Sequence, residues 1–304
     1  MRKLFFFIAT MCCAVTINAT EGALSGEFSV AANKKVVFAK GNLQATTTNL
    51  GAHWAWAFAA NQWDMIGNAT ANNVINGSAS VSANGTVDLF GWSTDATYYG
   101  IHNSTTNSTY SGDFVDWGSI IGEGWRTLSD NEWDYLFSYR TNANGLRGPA
   151  TVNGIHGYIL LPDSWVAPTG LSFQGNTNVW TTNQYTVSQW ADMQTAGAVF
   201  LPAAGYRGVS VENESSNGLY WSSTQYSATK ASYVYFGEDE AGVGNDFRCF
   251  GHSVRLVQDV EVHTAIYDVK SQESNVESQK VLHDGQLLIV RNGKTYTMQG
   301  AEVR

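Results

Sequence analysis

The residues best suited to chemistry in this chain lie in one short acidic segment. Residues 238–246, with the sequence EDEAGVGND, combine four carboxylates with two glycines. Closely spaced carboxylates joined by flexible glycines can coordinate Ca²⁺ through several oxygens, although this spacing does not match an EF-hand loop. We therefore predict that Glu238, Asp239 and Asp246 bind a metal ion, Ca²⁺. The alternative is a plain acidic hairpin turn without a ligand.

The same segment is the predicted ligand-binding loop. Glu240 and Asn245 add polar groups to the three carboxylates, and Tyr226 lies a short distance before them in the sequence. An aromatic ring beside polar side chains can form a platform for a sugar or a peptide. Trp221 is a further ring nearby, but we expect it in the core. The predicted ligand-binding residues are Tyr226, Glu238, Asp239, Glu240, Asn245 and Asp246.

Patterns typical of catalysis are weak. No two of the six histidines have the short spacing of a zinc site, and the chain has neither a Gly-x-Ser-x-Gly motif nor a phosphate-binding loop. Carboxylate pairs for glycoside hydrolysis require a defined separation that a sequence does not give. We interpret the candidate acids as solvated loop residues; they are Asp64, Asp88, Asp113, Asp116 and Glu123. We predict that the protein is not an enzyme.

The composition indicates the elements that position these residues. The chain has 304 residues, 43% apolar and only 14% charged, with 30 glycines. This balance favours a loop-rich, strand-dominated domain with short strands and long ordered loops, and the length allows a second, smaller domain. Near the start, apolar residues alternate on both sides of Lys34 and Lys35, which predicts a β-hairpin with a basic turn.

Two short helices are predicted. The first begins at residues 129–132 (SDNE), where Ser129 and Glu132 can form a capping box. Trp133, Leu136 and Phe137 then fall on one face, which is expected to pack inward. The second helix is predicted at residues 188–196 (SQWADMQTA), with Trp190 and Met193 on its buried side.

Four aromatic segments frame these helices, and three of them contain an arginine beside an aromatic ring. A planar guanidinium can stack on a ring and donate hydrogen bonds to loop carbonyls that strands leave unpaired. We interpret Arg126, Arg207 and Arg255 in this way, as parts of the scaffold; the alternative is that one of them binds an anionic ligand. The four segments are residues 124–137, 199–208, 218–236 and 251–257.

These segments resemble the Fibrobacter succinogenes major paralogous domain, an extracellular domain related to the formylglycine-generating enzyme (sulfatase-modifying factor) group. The resemblance covers roughly residues 124–257. It implies a C-type-lectin-like α+β fold with short strands, two short helices and long loops, in which residues 238–246 lie where such folds carry ligand loops. It is carried by residues 125–126 (WR), 129–133 (SDNEW), 205–207 (GYR), 220–223 (YWSS) and 253–257 (SVRLV).

The related enzymes use a pair of cysteines, because a soft metal such as Cu(I) selects thiolate ligands. Residues 247–249 (FRC) resemble the sequence around one of those cysteines, but Cys249 is the only cysteine after Cys13. One thiol cannot supply the pair, so we expect Cys249 to be a small residue half-buried in a strand. A divergent enzyme lacking the pair is the least favoured alternative.

Both ends of the chain resemble targeting segments. Residues 1–19 have a basic start, an apolar run and a small residue at Ala19, which predicts a secretory signal peptide. The tail contains Asp284-Gly285 and Asn292-Gly293, two hairpin signals, and is similar to the C-terminal sorting modules of secreted Bacteroidetes proteins. The predicted domains are therefore residues 1–19, 20–258 and 259–304, the last being a linker with a small β module.

The overall charge limits the partners. A formal net charge of −9 without basic clusters argues against nucleic acid and anionic lipid, and no segment after the leader is apolar for the length of a membrane span. We expect a secreted or cell-surface, non-enzymatic recognition domain that binds an extracellular glycan or protein. Its only candidate cofactor is Ca²⁺. The alternative is a structural component of a surface assembly.

Overall fold

The computed structural model describes residues 22–47, 54–67, 73, 85–101, 106–122, 124–260, 278–283, 286–291, 293–298 and 301–303. The predicted signal peptide, Glu123 and most of the predicted linker lie outside these residues. The chain divides into two compact units, Met1–Val260 and Glu261–Arg304. No helix in the described part of the chain is long and apolar enough to cross a membrane.

The first unit is an α+β structure built from short strands with few short helices. Its described strands are β1 (Phe28–Ala31), β2 (Lys34–Phe38), β3 (Leu43–Thr47), β4 (Ala55–Phe58), β5 (Gly85–Val87), β6 (Trp125–Arg126), β7 (Arg147–Val152), β8 (Ile155–Leu160), β9 (Gln184–Tyr185), β10 (Val199–Pro202), β11 (Tyr206–Arg207), β12 (Val211–Glu212), β13 (Gly218–Gln225), β14 (Lys230–Phe236), β15 (Ala241–Phe247) and β16 (Val257–Asp259). Its described helices are α1 (Gly118–Ile121), α2 (Asp130–Asp134) and α3 (Val187–Thr195), with 3₁₀ turns at Asn107–Tyr110 and Ala143–Leu146.

The strands form small sheets rather than one large one. Their orders are β1-β2-β16-β6, β4-β3-β5, β10-β8-β7-β9, β11-β12 and β13-β14-β15. The pairing is antiparallel except between β7 and β9. In the first sheet, Val257 of β16 pairs with Phe38 of β2 on one side and with Arg126 of β6 on the other. The last strand of the unit, β16, therefore joins β2 of the N-terminal hairpin to β6 in the middle of the chain.

The predicted N-terminal hairpin is confirmed, with Phe28 paired to Val36. Its turn was placed incorrectly, because Lys34 and Lys35 are the first residues of β2 and the turn precedes them. Lys34 Nζ lies 2.9 Å from Glu132 Oε1. The lysines therefore serve as the start of a strand that faces an acidic helix terminus.

Both predicted helices are present. The capping box of α2 is formed, since Ser129 Oγ accepts from the Glu132 N–H and Glu132 Oε2 accepts from the Ser129 N–H at 2.9 Å. The helix continues as a π-helical turn, Tyr135–Tyr139. The second helix, α3, has a capping box of its own between Thr186 and Gln189, which was not predicted.

The core consists of three apolar clusters in which aromatic residues dominate. The first packs Phe28, Phe38 and the α2 face, including Trp133, against β13 and β14. The second contains Trp221, which is only 1% exposed and confirms its prediction as a core residue. The third surrounds α3. Cys249 is the only cysteine in the described part and is free, so these clusters stabilise the described unit without an internal disulfide.

The second unit contains a four-stranded antiparallel sheet, β17-β18-β19-β20. The strands that flank the two predicted hairpin dipeptides are paired, with His283 opposite Gln286 and Arg291 opposite Lys294. The four strands are β17 (Ser278–His283), β18 (Gln286–Arg291), β19 (Lys294–Thr297) and β20 (Glu302–Val303).

Candidate functional site

The predicted ligand-binding residues lie at two opposite ends of the β13-β14-β15 sheet. Glu238, Asp239 and Glu240 form the turn between β14 and β15, beside the pair Phe236–Ala241. Asp246 pairs with Ala231 near the other end of β15, and Asn245 precedes it. Tyr226 follows β13 at that same far end. Six residues of strand, at about 3.3 Å each, separate the two ends by roughly 20 Å.

This separation means that the predicted Ca²⁺ ligands do not converge. The glycine-containing half of the acidic segment is a strand, β15, and not a loop. Asp246 Oδ2 lies 3.4 Å from His252 Nε2, whereas Glu238 Oε1 accepts a hydrogen bond from the Trp180 backbone N–H at 3.0 Å. Among the described residues, no group of three or more His, Cys, Asp or Glu side chains is arranged to hold a metal ion.

The acidic turn forms one wall of a cleft with a volume of about 310 Å³. The other wall is formed by residues at the start of β7 and just before it, together with Tyr158 of β8. Asn176 also lines the cleft. Most of the groups that line the cleft are polar, and charged groups of both signs are present. The cleft is therefore the place where the structure gathers chemistry-bearing side chains.

Arg147 is fixed in the wall of this cleft by three hydrogen bonds. Its Nε donates to the Phe137 carbonyl at 2.6 Å, its Nη1 to the Tyr158 hydroxyl at 2.5 Å and its Nη2 to Asn144 Oδ1 at 3.3 Å. The guanidinium carbon also lies 5.1 Å from the centre of the Phe137 ring, a cation–π contact. Arg147 is thus held rigidly, with N–H groups left over for a ligand.

Tyr158 supplies a second donor. Its hydroxyl oxygen accepts from Arg147, so its own proton is free to donate. Burial raises the pKa of Tyr158 against the opposing effect of Arg147. The hydroxyl therefore remains protonated at neutral pH and can donate that proton to a ligand while its oxygen accepts from Arg147.

The acidic turn supplies the acceptors. Glu238 is held by Trp180, whose ring in turn stacks on His156 with centres 5.1 Å apart. Asp239 and Glu240 are exposed at the cleft, and no other described residue hydrogen-bonds to their carboxylates. One wall of the cleft therefore presents fixed donors, and the other presents carboxylate acceptors.

A separate group of aromatic side chains lies at the far end of the sheet. Tyr226 is 62% exposed and Phe247 is 41% exposed. Lys230 Nζ lies 5.0 Å from the centre of the Phe247 ring and donates to Asn245 Oδ1 at 3.2 Å. We call Tyr226, Phe247 and the neighbouring Phe250 the aromatic patch. It shares no residue with the cleft, so the predicted platform and the acidic turn do not act on one ligand.

The scaffold interpretation of Arg255 is confirmed. Its side chain is fully buried and donates to Asn42 Oδ1 at 2.9 Å, the Ala39 carbonyl at 3.0 Å and the Phe200 carbonyl at 2.9 Å. Arg207 is also buried and donates to the Leu89 carbonyl at 3.2 Å. Both side chains therefore donate to backbone carbonyls inside the protein, as predicted, although Arg207 Nη1 has no partner.

Arg126 differs, because it forms ion pairs with Glu132 at 2.7 Å and Asp259 at 2.6 Å. Two further arginines with this scaffold role were not predicted. Arg248 donates to the carbonyls of three loop residues and lies 4.4 Å from the Trp92 ring centre. Arg140 donates to three other carbonyls. The sequence signal that could have found them is the same as for Arg255, an arginine flanked by apolar or aromatic residues.

The remaining candidates for chemistry are structural. Cys249 is buried in a turn after β15, not half-buried in a strand as expected, and burial raises the pKa of its thiol. A protonated thiol is a poor nucleophile and a poor metal ligand. Asp88 is likewise not a solvated loop acid. It is buried, accepts from Asn73 and from the Ile66 N–H, and has a pKa that burial raises to about 6.

Asp116 also departs from the prediction of a solvated acid. Its carboxylate accepts from the backbone N–H and the hydroxyl of Thr127 and from the Gly118 N–H. These bonds fix the connection between α1 and β6. Asp113 is exposed, as expected, and Asp64 is partly exposed, where its carboxylate accepts from the Asn61 N–H.

Comparison with known proteins gives one partial match. A family model described as "Domain of unknown function (DUF8237)" matches residues 169–257. This range contains the acidic turn and β15 but not Arg147 or Tyr158. No curated protein and no solved structure matches the chain.

Proposed function

We propose that this protein is an extracellular recognition domain that binds a carbohydrate, without catalysis, in the cleft beside the acidic turn. The observation that carries the proposal is the division of the cleft into a wall of donors and a wall of acceptors. Arg147 and Tyr158 are fixed donors, while Asp239 and Glu240 offer carboxylates that the other described residues leave unpaired.

Carbohydrate hydroxyls fit this arrangement because each hydroxyl donates one hydrogen bond and accepts others. A ligand with charge of only one sign would be repelled by one wall. The volume of about 310 Å³ lies near the lower end of ligand-site volumes and suits one or two sugar rings. The lining offers little apolar surface, so polar contacts must supply most of the affinity.

The finer fold assignment belongs to the same proposal. We propose that the first unit is C-type-lectin-like, because its first hairpin and its last strand pair in one sheet, and its short helix α2 begins at the motif that carries the resemblance. An extracellular location is proposed from the signal-peptide pattern of residues 1–19, and sorting from the hairpin pattern of the tail.

A second candidate function is that of a structural component in a surface assembly. The aromatic patch favours it, because exposed aromatic rings such as Tyr226 and Phe247 are enriched at protein interfaces. Light scattering separates the two functions. Self-association that is lost in Tyr226→Ser and Phe247→Ser, together with no glycan binding, would favour assembly.

The cleft is tested by glycan-array screening followed by titration of the best ligand. The double variant Asp239→Asn with Glu240→Gln keeps the size of both side chains but removes their charge, and we expect at least about a tenfold loss of affinity, since hydrogen bonds to charged groups contribute about 1.5–3 kcal/mol. Asp192→Asn, an exposed acid on α3, is the matched control and should bind like the wild type.

Two results would contradict the proposal. One is that the wild-type protein binds no glycan on the array. The other is that the double variant binds as well as the wild type while both have the same melting temperature. Because the predicted Ca²⁺ ligands do not converge, we also expect a chelator to leave binding unchanged.

A further inference from the structure

Strand β15 is the outer strand of the β13-β14-β15 sheet. No described residue pairs with its outer edge. Along its length every residue is at least partly exposed. A strand edge of this kind presents a row of backbone donors and acceptors to any extended chain that can reach it.

The hydrogen-bonding pattern shows which residues of β15 face outward. Gly237 N–H donates to the Glu240 carbonyl, and Arg248 N–H donates to the Thr229 carbonyl. In an antiparallel ladder, alternate residues bond to the same neighbour. Even-numbered residues of β15 therefore bond to β14. The N–H and C=O groups of Ala241, Val243 and Asn245 point to the outer edge.

One face of this edge has an unusual shape. Gly242 is paired with Tyr235 and Gly244 with Tyr233. The tyrosine rings lie over the glycines, since a Cβ atom at Gly244 would come within 3.2 Å of the Tyr233 ring. The rings therefore occupy the space over the glycines. Side chains of an added strand opposite these glycines would contact the rings, as cross-strand pairs do.

The same face is acidic at both ends. Glu240 and Asp246 are even-numbered like the two glycines, so they lie on the same face of the strand, one at each end of the glycine pair. Burial, the largest cause, and the charges of Asp246 and Glu240 together raise the pKa of Tyr233 to about 12. Both carboxylates therefore act on the space in front of this face. Lys230 pairs with Phe247 on the opposite face of the sheet.

This charge distribution decides between two possible occupants of the outer edge of β15, a second copy of this chain and a basic strand of another protein. If a second copy paired with β15 about Val243, Glu240 would stand opposite Asp246 of the other copy at both ends of the ladder. Like charges directly opposite each other destabilise a strand pair. A strand with basic residues at those two positions would instead form an ion pair at each end.

We infer that the outer edge of β15 binds an extended segment of a partner protein that carries Lys or Arg at two positions six residues apart, with apolar side chains opposite Gly242 and Gly244. The partner segment adds a strand to the sheet, so its backbone supplies affinity and its basic residues supply register. This site shares Glu240 and Ala241 with the lining of the glycan cleft but uses the backbone edge of β15, and the inference goes beyond the proposed function.

The probe is the blocked, fluorescently labelled peptide Lys-Thr-Val-Thr-Val-Thr-Lys, whose binding is followed by anisotropy. Its central Thr pairs with Val243 when it is antiparallel, which places the two Lys opposite Glu240 and Asp246. A peptide with Glu in place of both Lys should bind at least tenfold more weakly. N-methylation of the three Thr residues removes the donors that face β15 and should abolish binding. N-methylation of the two Val residues alters the outer edge and should not.

Variants of the protein test the same contact. Val243→Pro removes an outward N–H that β14 does not use, a change that an edge strand tolerates, and we expect at least a tenfold loss of peptide affinity. Val243→Ala keeps that N–H and is the matched control. Neither residue change touches Arg147, Tyr158, Asp239 or Glu240, so glycan binding should be the same in both variants.

The inference is overturned if the wild type does not bind the Lys peptide, or if the peptide with N-methylated Thr binds as tightly as the unmodified one. It is also overturned if folded Val243→Pro keeps full affinity. Because the methylated peptides act on the wild-type protein, the test holds even if Val243→Pro does not fold. Slower hydrogen exchange at the amides of Ala241, Val243 and Asn245 on adding the peptide is the supporting structural result.

Discussion

Arg255 connects three separate parts of the chain from a fully buried position. Its donors reach Asn42 and the Ala39 carbonyl in the N-terminal region and the Phe200 carbonyl in β10. Burial lowers the pKa of Arg255 to about 10, so the side chain is still charged at neutral pH. A buried charge is tolerated when its hydrogen bonds are satisfied, and its removal leaves several acceptors without partners.

We predict that Arg255→Lys lowers the free energy of unfolding by about 3 kcal/mol or more, because one ammonium cannot replace the planar fork of a guanidinium. Urea unfolding followed by tryptophan fluorescence measures the change. Arg126→Lys is the control. Its ion pairs are partly exposed and lysine keeps the charge that pairs with Glu132 and Asp259, so we expect a loss of no more than about 1 kcal/mol. Equal losses in the two variants would show that the buried hydrogen bonds of Arg255 do not stabilise the fold more than the ion pairs of Arg126.

Single residues also show where sequence reasoning ends. The burial of Trp221 was predictable because it lies in an apolar run. The burial of Asp88 was not, because it depends on Asn73 and on the Ile66 N–H, which tertiary contacts bring to it. A sequence shows that an acid is present, but not whether its hydrogen-bond partners meet it.

At the scale of elements, helix α2 carries a charge that stabilises its own start. Burial alone would raise the pKa of Glu132, but hydrogen bonds from Arg126, the Ser129 N–H and Lys34 outweigh it and lower the pKa to about 2. A carboxyl whose pKa is lower in the folded state stabilises that state above its unfolded pKa. This stabilisation is lost as the pH falls from about 4.5 towards 2.

We therefore predict that Glu132→Gln is less stable than the wild type by about 1–2 kcal/mol at pH 7, because the charged contacts with Arg126 and Lys34 are lost. The difference should shrink as the pH is lowered through 4 to 2. Thermal unfolding across this pH range measures it. Asp134→Asn, on the same helix, should show no such convergence, and a gap between Glu132→Gln and wild type that is constant with pH would contradict the prediction.

The elements also explain the main error about the site. A short capping box predicted the start of α2 from local contacts alone, whereas α3 was predicted from the spacing of Trp190 and Met193. Residues 238–246 were interpreted as a loop with flexible glycines, which are rare in strands, but residues 241–247 are a strand. They form β15 because the rings of Tyr233 and Tyr235 cover Gly244 and Gly242. The rings that cover the glycines belong to the neighbouring strand β14, so the sequence of β15 alone does not indicate a strand.

At the scale of the whole molecule, the strand-rich character followed from composition and the α+β class from the family resemblance, but the cleft followed from neither. Its two walls come from parts of the chain about 90 residues apart, Arg147 on one side and the acidic turn on the other. No local pattern links them, because their meeting depends on how β7 and β8 lie beside the β13-β14-β15 sheet. The acidic turn was therefore identified from sequence, while Arg147 and Tyr158 were missed.

The division into two units gives the last prediction. All three apolar clusters are made of residues up to Val257, and β16 closes the first sheet by pairing with both β2 and β6. A chain that ends at Val260 keeps each of these contacts, so its melting temperature should lie within about 2 °C of the full-length value, a shift that corresponds to well under 1 kcal/mol. A chain that ends at Leu256 lacks β16 and should unfold at a much lower temperature. Calorimetry of the two truncations measures these temperatures. If the first unit is independent, only the chain that ends at Leu256 is destabilised. If the first unit needs residues after Val260, both chains are destabilised.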